Sequence, residues 1–269
     1  MGVIVTPEVT RLDAAVAAHT GLTRSQARGL ILAGRVRVDG TPQTKPGTHL
    51  RAGGRLEVEA APRFVSRGGD KLTGALAELG VDPRGTNALD IGASTGGFTD
   101  ALLQHGAAHV TAIDVGYGQL AWKLRGDARV TVIERSNFRR LPDDAFPSGF
   151  DFIVIDTSFI SLRTIIARAI AYLVADGLIV ALVKPQFEAG RDRIGGGGVV
   201  RDPAVHAAIL REVRDAVGGL GLVVTGACRS PLRGAAGNVE FFYRIERRGD
   251  AVADAALEAL VAEAHAEAT

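Results

Sequence analysis

The chain has 269 residues, of which 46% are hydrophobic and 23% are charged, and its formal net charge is +1. This length allows one large domain or two unequal ones, and the composition is ordinary for a globular protein. The net charge is close to zero, so it predicts no particular kind of partner. Cys228 is the single cysteine, which excludes an internal disulfide. No secretory signal is visible, and the longest apolar runs fall far short of the ~20 residues that span a bilayer, so we expect a soluble cytoplasmic protein.

Charge is unevenly distributed along the chain. Residues 1–65 carry nine Arg or Lys against five Asp or Glu, a net charge of +4. This basic first part permits binding to nucleic acid without proving it. Residues 249–269 contain five acids and no Lys or Arg, and their alanine-rich sequence predicts a surface helix in a C-terminal tail.

Two helices are predicted near the start of the chain. Thr10, with Asp13 three residues later, has the arrangement of a capping box and predicts the start of the first helix. Thr23 and Gln26 predict the start of the second in the same way, and a glycine follows each pattern.

A small sheet is predicted after these helices. Residues 35–38 alternate between arginine and valine, which indicates a strand, and Asp39-Gly40 is a hairpin turn signal. A further short strand at 56–58 completes a compact α+β module within residues 1–60.

The module carries arginines that could meet a phosphate backbone, although a solvated charged face is the alternative. Its strings RLD at 11–13, TRSQA at 23–27 and GRVRVDG at 34–40 resemble the S4-like RNA-binding domain. The resemblance implies that this module docks on RNA. With one arginine farther along the chain, the candidate RNA-binding residues are Arg11, Arg24, Arg28, Arg35, Arg37 and Arg67.

A linker is predicted over residues 61–66, because the run from Ala60 to Pro62 resembles neither a helix nor a strand. The segment from Arg63 to Leu72 is then expected to lead into a helix that runs to about Leu79. Lys71 falls in its predicted first turn, which is an unfavourable place for a cation and therefore suggests a function.

Strands and helices alternate from Asn87 onward, which predicts a doubly wound α/β sheet in a second domain over residues 67–248. A final apolar segment at 239–245 could insert as an antiparallel strand. The other predicted strands are residues 88–91, 110–114, 130–134, 152–155, 178–183 and 222–227.

The segment 88–100 combines a strand, a glycine-rich turn and a helix start. Its small residues allow close approach of a ligand to the backbone, and the helix start offers free N–H groups. Three functions fit: a dinucleotide site, a G-x-S-x-G hydrolase elbow centred on Ser94, and an S-adenosylmethionine (SAM) site. A turn that binds no ligand is the fourth possibility.

Asp114 ends the second strand, 22 residues after Gly92, where an acid can bind the ribose hydroxyls of a nucleoside cofactor. This favours both cofactor hypotheses. The hydrolase needs a histidine on a late loop, but two histidines come too early and two fall in helical segments, at His105, His109, His206 and His265.

Acids and lysines follow several of the strands. Asp156 and Lys184 end two strands that would face one cleft as neighbours, and a buried lysine there should have a carboxylate partner. Glu240 and Lys71 could join them. These four residues could form ion pairs that only stabilise the cleft. They could also activate a sugar hydroxyl, since a lysine beside a second cation and away from water can act as a base.

Taken together, the strings resemble the TlyA family, also called hemolysin A, relatives of the FtsJ-type RNA ribose 2′-O-methyltransferases. The resemblance spans about Thr10–Ile245. Its strings are SRGGDKL at 66–72, LDIGASTGGFTD at 89–100, DVGYGQLAWKLR at 114–125, DTSFISL at 156–162, LVKPQFE at 182–188, GGVVRDP at 197–203 and GNVEFF at 237–242.

The resemblance implies a Rossmann-like, SAM-dependent methyltransferase with a K-D-K-E catalytic set formed by Lys71, Asp156, Lys184 and Glu240. It also implies SAM binding by residues of the loop and strand ends. We assign to the cofactor Asp90, Gly92, Ala93, Ser94, Gly96, Gly97, Phe98, Asp114 and Asp156.

The implied reaction is methylation of the ribose 2′-hydroxyl of a cytidine in ribosomal RNA of the large subunit, with the small subunit as a further candidate. We expect ribosomal RNA or subunits as partners, a monomer, no membrane and no metal. Two alternatives remain: a membrane-lysing protein, as the hemolysin name suggests, and an RNA-binding protein with an inactive methyltransferase fold. The first is disfavoured because no strongly amphipathic basic helix is visible.

Overall fold

The computed structural model describes residues 2–5, 9–59, 62–190, 193–234 and 236–266. The chain forms two compact units, residues 1–62 and 63–269, and each is described by itself. Ala60 and Ala61, at the predicted linker, lie outside the described residues.

The described residues of the first unit form two helices and six short strands. Helix α1 is Leu12–Thr20 and helix α2 is Arg24–Leu32. The strands are β1 (Gly2–Val5), β2 (Thr10–Arg11), β3 (Val36–Val38), β4 (Thr41–Pro42), β5 (His49–Leu50) and β6 (Arg55–Val58). One antiparallel sheet has the order β1-β6-β3-β4, and β2 pairs with β5.

Local sequence signals explain much of this unit. The Thr23 hydroxyl accepts a hydrogen bond from the Gln26 amide at 3.3 Å, and the Gln26 side chain accepts one from the Thr23 amide at 2.9 Å. The predicted capping box of α2 is therefore confirmed. Asp39 and Gly40 have φ values of 52° and 76°, and they form the predicted turn between β3 and β4.

The predicted cap of α1 is wrong. Thr10 lies in β2, and α1 begins at Leu12 without a side-chain cap. Asp13 is 2% exposed, and its carboxylate accepts hydrogen bonds from Arg11 and Arg24, each at 3.0 Å. The hydrogen bond from Arg11, supported by Arg24, holds the pKa of Asp13 well below its usual range. The carboxylate joins three parts of the module rather than capping a helix. Strand β1 carried no clear sequence signal.

The second unit is a seven-stranded sheet flanked by helices. Its helices are α3 (Arg67–Glu78), α4 (Gly97–Gln104), α5 (Trp122–Arg125), α6 (Leu162–Ala169), α7 (Pro185–Glu188), α8 (Pro203–Gly219) and α9 (Asp254–Ala266). Its strands are β7 (Asn87–Ile91), β8 (His109–Ile113), β9 (Val130–Ile133), β10 (Phe150–Ile155), β11 (Leu173–Val183), β12 (Val223–Arg229) and β13 (Phe241–Glu246).

The strand order is β12-β13-β11-β10-β7-β8-β9, and only β13 runs antiparallel to its neighbours in this sheet. The predicted doubly wound fold and its late antiparallel strand are confirmed. Strand β10 shows why helices cover both faces: Ile153 and Ile155 pack into one apolar cluster, whereas Phe152 and Val154 pack into the other.

The predicted surface helix at the C-terminus is present as α9, and its buried face, formed by Leu257, Val261 and Ala264, packs on α8 and β12. Helix α3 differs from its prediction. It begins at Arg67, so Lys71 lies in its second turn rather than in the predicted first turn. The macrodipole argument for Lys71 therefore no longer applies, because that effect is confined to the first turn.

Close packing holds α3 against the segment before it, which predicts a strong effect of one methyl group. A Cβ at Gly69 would lie 2.1 Å from the buried Phe64 Cγ, whereas a Cβ at Gly218 in α8 would have no atom within 4 Å. Gly69→Ala should lower the free energy of unfolding by about 1–3 kcal/mol through overpacking. Gly218→Ala should raise it by about 0.5–1 kcal/mol through helix propensity. Urea unfolding of the full chain measures both, and shifts in the same direction would contradict the packing argument.

Candidate active site

The candidate site lies at the carboxyl ends of the neighbouring strands β7 and β10. This is the position in the sheet where the order of the strands reverses. The Asp156 amide donates a hydrogen bond to the Ile91 carbonyl at 3.0 Å, which joins the two strand ends. Gly92 follows β7 with φ of 88°, and a Cβ there would lie 2.5 Å from the Asp156 carbonyl oxygen. Glycine is therefore required at position 92 by both its conformation and this contact.

The four predicted catalytic residues line one cleft of about 650 Å³. Lys184 Nζ lies 2.5 Å from Asp156 Oδ1, so the expected carboxylate partner of Lys184 is present. Lys71 Nζ lies 2.5 Å from Glu240 Oε2, and both of these side chains are almost fully buried. Buried charges are tolerated when they are paired in this way.

Separate elements deliver these side chains. Lys71 projects from α3, and Lys184 follows β11 at the start of α7. The antiparallel pairing of β11 with β13 sets Val183 opposite Phe241, which brings Glu240 to the same edge. The Lys184 ammonium also donates a hydrogen bond to Ser158 Oγ at 3.1 Å. Sequence analysis missed Ser158, although its place two residues after Asp156 was a usable signal.

Asn238 is a second residue that sequence analysis missed. It lines the cleft and is 2% exposed. Its Oδ1 accepts a hydrogen bond from the Val200 amide, and its Nδ2 donates one to the Gly198 carbonyl, both at 3.0 Å. Asn238 thereby fixes the end of a glycine-rich loop as part of the cleft wall.

The loop after β7 is shaped around Asp114. The Ser94 amide donates to Asp114 Oδ2 at 2.8 Å, and the Gly116 amide donates to Oδ1 at 2.7 Å. Ser94 has φ of 48°, and its hydroxyl lies 3.3 Å from Gln119 Oε1. No histidine of the described residues lines either of the two cavities at this edge, which argues against a serine nucleophile.

A second cavity of about 470 Å³ adjoins the cleft and shares Gly92, Ser94 and Asp156 with it. Its other walls include Asp114 and Phe138. Each carboxylate oxygen of Asp114 has used one lone pair on the loop, so further lone pairs remain for hydroxyl groups. The apolar Phe138 ring and the carboxylate therefore fit a nucleoside cofactor such as SAM. Phe138 was not among the predicted residues. Ala93, Gly97 and Phe98, which were predicted to bind the cofactor, line the cleft and not this second cavity.

Asp90 and Gly96, two of the residues predicted to bind the cofactor, line neither cavity. Asp90 is fully buried, and its Oδ2 accepts a hydrogen bond from Thr99 Oγ1 at 2.6 Å. Burial raises the pKa of Asp90 to about 7. A Cβ at Gly96 would lie 2.3 Å from Leu124, so this glycine allows α5 to pack beneath the loop. Both residues contact the side of the loop that faces the protein interior, Asp90 through Thr99 and Gly96 through Leu124.

Aromatic side chains stand at the cleft. Phe159 is 90% exposed, has φ of 63°, and its ring centroid lies 5.0 Å from that of Phe187. Both residues line the cleft, as does the exposed Arg67. An aromatic pair with an exposed ring can pack against a nucleobase.

The predicted RNA-binding arginines of the first unit differ in their surroundings. Arg11 and Arg24 are paired with the buried Asp13, and Arg37 donates to the Gly40 carbonyl at 3.3 Å. Arg35 is half-buried. Arg28 is exposed and has no ion pair with any residue that the structure describes. It is the arginine of this set that is most available to a ligand.

Comparison with known proteins gives the family. The family model of the FtsJ-like methyltransferases matches residues 64–247, and that of the S4 domain matches residues 10–56. The chain belongs to the FtsJ-like methyltransferases. The predicted resemblance to this family and to the S4 domain is confirmed.

Relatives of this FtsJ-like methyltransferase cover nearly its whole length. It is 47% identical over 244 residues to the 16S/23S rRNA (cytidine-2'-O)-methyltransferase TlyA of Mycobacterium tuberculosis, covering 89% of this chain and 91% of that protein. It is 39% identical to Hemolysin A of Brachyspira hyodysenteriae, covering 81% and 92%. A solved Streptococcus thermophilus protein that carries a hemolysin name is 41% identical, with a TM-score of 0.74 over 97% of this chain and 98% of that one. Among the described residues, no helix is long and apolar enough to cross a membrane.

The raised pKa of Asp90 predicts how the stability of this methyltransferase depends on pH. Between pH ~4 and ~7 the folded chain keeps a proton on Asp90 that the unfolded chain has lost, so stability falls as pH rises through this window, by up to about 4 kcal/mol. Asp90→Asn has no titratable group at this position, so its free energy of unfolding should depend less steeply on pH. Asp82→Asn, at an exposed carboxylate, is the control and should follow the unsubstituted protein. Urea unfolding at several pH values measures this, and parallel curves for all three proteins would contradict it.

Proposed function

We propose that this chain transfers a methyl group from SAM to the ribose 2′-hydroxyl of a cytidine in ribosomal RNA. The observation that carries the proposal is the two Lys–carboxylate contacts, Lys184 with Asp156 and Lys71 with Glu240, in a cleft that adjoins a nucleoside-sized cavity. The printed activity of the M. tuberculosis relative supports the choice of cytidine and of ribosomal RNA.

The second cavity is the proposed SAM site. Asp114 would bind the ribose hydroxyls, Phe138 would contact the adenine, and the backbone around Gly92 and Ser94 would accommodate the rest of the cofactor. When bound, SAM supplies an electrophilic methyl group on its sulfonium. Asp156 lines both cavities, so the hydroxyl that it helps to place would lie close to that methyl group.

Lys184 is the proposed group that handles the proton. Its Nζ is held by Asp156 Oδ1 and Ser158 Oγ, which leaves its remaining position for the 2′-hydroxyl in the cleft. As a neutral amine, Lys184 can accept the hydroxyl proton with its lone pair while the oxygen forms its new bond to the methyl carbon and the bond from that carbon to the sulfonium sulfur breaks. Fixing the oxygen in line with the methyl group contributes much of the acceleration in such displacements.

Lys71 and Glu240 complete the proposed network from the opposite elements of the fold. Their contact fixes an ammonium group in the cleft, where it can donate a hydrogen bond to an oxygen of the target ribose. The exposed Phe159 ring, packed against the half-buried Phe187, offers a surface for the base. A base within a duplex would have to leave its stack to reach this cleft.

Substitution of Lys184 tests the assignment. Lys184→Ala should lower the rate of methyl transfer by at least ~10²-fold, while the affinity for SAM changes little. Lys184→Arg keeps a cation beside Asp156 but does not provide a base, so it should be impaired as well. The measurement is transfer of labelled methyl from SAM to separated ribosomal subunits, with SAM affinity from calorimetry and mapping of the modified nucleotide. Near-normal transfer by Lys184→Ala would overturn the assignment.

Substitutions of two neighbouring arginines of the S4 unit distinguish an effect on RNA binding from an effect on stability. Arg28→Ala should weaken binding to ribosomal RNA and reduce the slope of log affinity against log salt by about 1, without changing thermal unfolding. Arg24→Ala should also destabilise the first unit, because Asp13 loses a partner. Filter binding at several salt concentrations and thermal unfolding measure these effects. An unchanged affinity and salt slope for Arg28→Ala would exclude it from the RNA contact.

A further inference from the structure

Glu188 carries a buried carboxylate and is not one of the four charged residues of the cleft. Its side chain is 2% exposed, and it is the last residue of α7, one helical turn after Lys184. A carboxylate is costly to bury unless hydrogen bonds or ion pairs compensate for the lost water. The partners of Glu188 therefore indicate which parts of the fold it holds together.

The hydrogen-bond partners of Glu188 lie at the start of α6. The Leu162 amide donates to Glu188 Oε1 at 2.6 Å, and the Ser161 hydroxyl donates to Oε2 at 2.8 Å. Leu162 is the first residue of α6, and Ser161 itself makes no side-chain cap there. Glu188 thus satisfies a free N–H group of α6 from a different helix, at the end of α6 where negative charge is favourable.

The segment that joins β10 to α6 lines the cleft with Asp156, Ser158 and Phe159. The backbone groups of residues 157–160 make no hydrogen bond to the backbone of any described residue. Hydrogen bonds hold the backbone of the segment at its two ends instead, through the Asp156 amide after β10 and through Glu188 at the start of α6. Phe159 has φ of 63°, and such a conformation persists only where the surroundings fix it.

We propose that Glu188 is a positioning residue for methyl transfer. Lys184 stands at the start of α7 and Glu188 at its end, so a single helical turn connects the proposed proton acceptor to the carboxylate that anchors the segment. The segment in turn supplies Ser158, whose Oγ accepts a hydrogen bond from Lys184 Nζ at 3.1 Å. Glu188 thereby fixes Ser158 relative to Lys184, and with it the direction of Lys184 Nζ in the cleft. This inference rests on the proposed function, because it names a residue that orients the lysine of that same reaction.

The surroundings of Glu188 distinguish a role of its hydrogen bonds from a role of its charge. Arg163 Nε lies 3.6 Å from Glu188 Oε2, which is too far for a hydrogen bond, and the Arg163 guanidinium also pairs with Glu212 of α8 at 3.3 Å. A glutamine at position 188 can still accept from the Leu162 amide. Its NH₂ group can donate to Ser161 Oγ, because that hydroxyl can turn and accept instead. Glu188→Gln therefore removes the charge and keeps both hydrogen bonds.

Steady-state kinetics with ribosomal subunits test the proposal. Glu188→Ala should lower kcat at least ~10-fold, because Lys184 loses its alignment, while the affinity for SAM changes less than ~2-fold. Glu188→Gln should keep kcat within about 3-fold of the unsubstituted protein, because both hydrogen bonds remain. Glu212→Ala is the matched control, since it removes the other carboxylate partner of Arg163 without a contact to the segment, and it should keep kcat within ~2-fold. A normal kcat in Glu188→Ala, or an equal loss in Glu188→Gln, would overturn the proposal.

Hydrogen exchange of the protein alone gives a readout that needs no reaction. The Leu162 amide is bonded to Glu188, so its exchange, followed by NMR, should quicken at least ~10-fold in Glu188→Ala and stay unchanged in Glu188→Gln and Glu212→Ala. A carboxylate that only stabilised the fold would instead change exchange throughout the second unit and leave kcat per folded molecule unaltered, and that result would overturn the proposal.

The exchange measurement also separates this inference from the proposed function. Unchanged exchange at Leu162 in Glu188→Ala would overturn the positioning role whatever the substrate is. Faster exchange at Leu162, in a protein whose unsubstituted form transfers no methyl group to ribosomal subunits, would support the anchoring of the segment by Glu188 and overturn the proposed function.

Discussion

The contact between Gly92 and the backbone of Asp156 is the constraint on which the site depends. The ends of β7 and β10 touch because position 92 has no side chain, and a Cβ there would lie 2.5 Å from the Asp156 carbonyl oxygen. One strand end begins the loop around the proposed cofactor cavity, and the other presents the carboxylate that pairs with Lys184. The distance between the two halves of the reaction is therefore set by backbone packing rather than by flexible side chains.

The buried charges follow from the same edge of the sheet. Each lysine of the cleft is neutralised by a carboxylate from a different element, so neither pair can form before the strands have assembled. Leaving Lys71 or Glu240, which are both buried, without its partner would cost several kcal/mol. The cleft consequently couples folding to site assembly: the register of β11 against β13, with Val183 opposite Phe241, decides whether Glu240 reaches Lys71.

Much of the fold was predictable because strands and helices alternate with strong apolar patterns, and the convergence of four charged residues followed from their places after strands. Other features depend on groups far apart in the chain. The first turn of α3 was not predicted because glycines at 68 and 69 are unfavourable in a helix. Gly69 is nevertheless needed there, since a side chain at this position would collide with Phe64. The sequence does not reveal that the Asp90 side chain turns beneath the loop to Thr99. Asn238 was missed because its partners are backbone groups about 40 residues away.

The glycines of the loop after β7 limit where substitutions could enlarge the site. Positions 92, 96 and 97 are already glycines in close contact with their neighbours, so nothing remains there to be trimmed. Room for a bulkier sulfonium analogue, carrying a group larger than methyl, must come from residues that still have volume to lose. Phe159 and Phe187 are such residues, since both line the cleft and neither is fully buried. Substitutions that admit a larger transferred group are therefore available at Phe159 and Phe187 and not at the glycines of the loop.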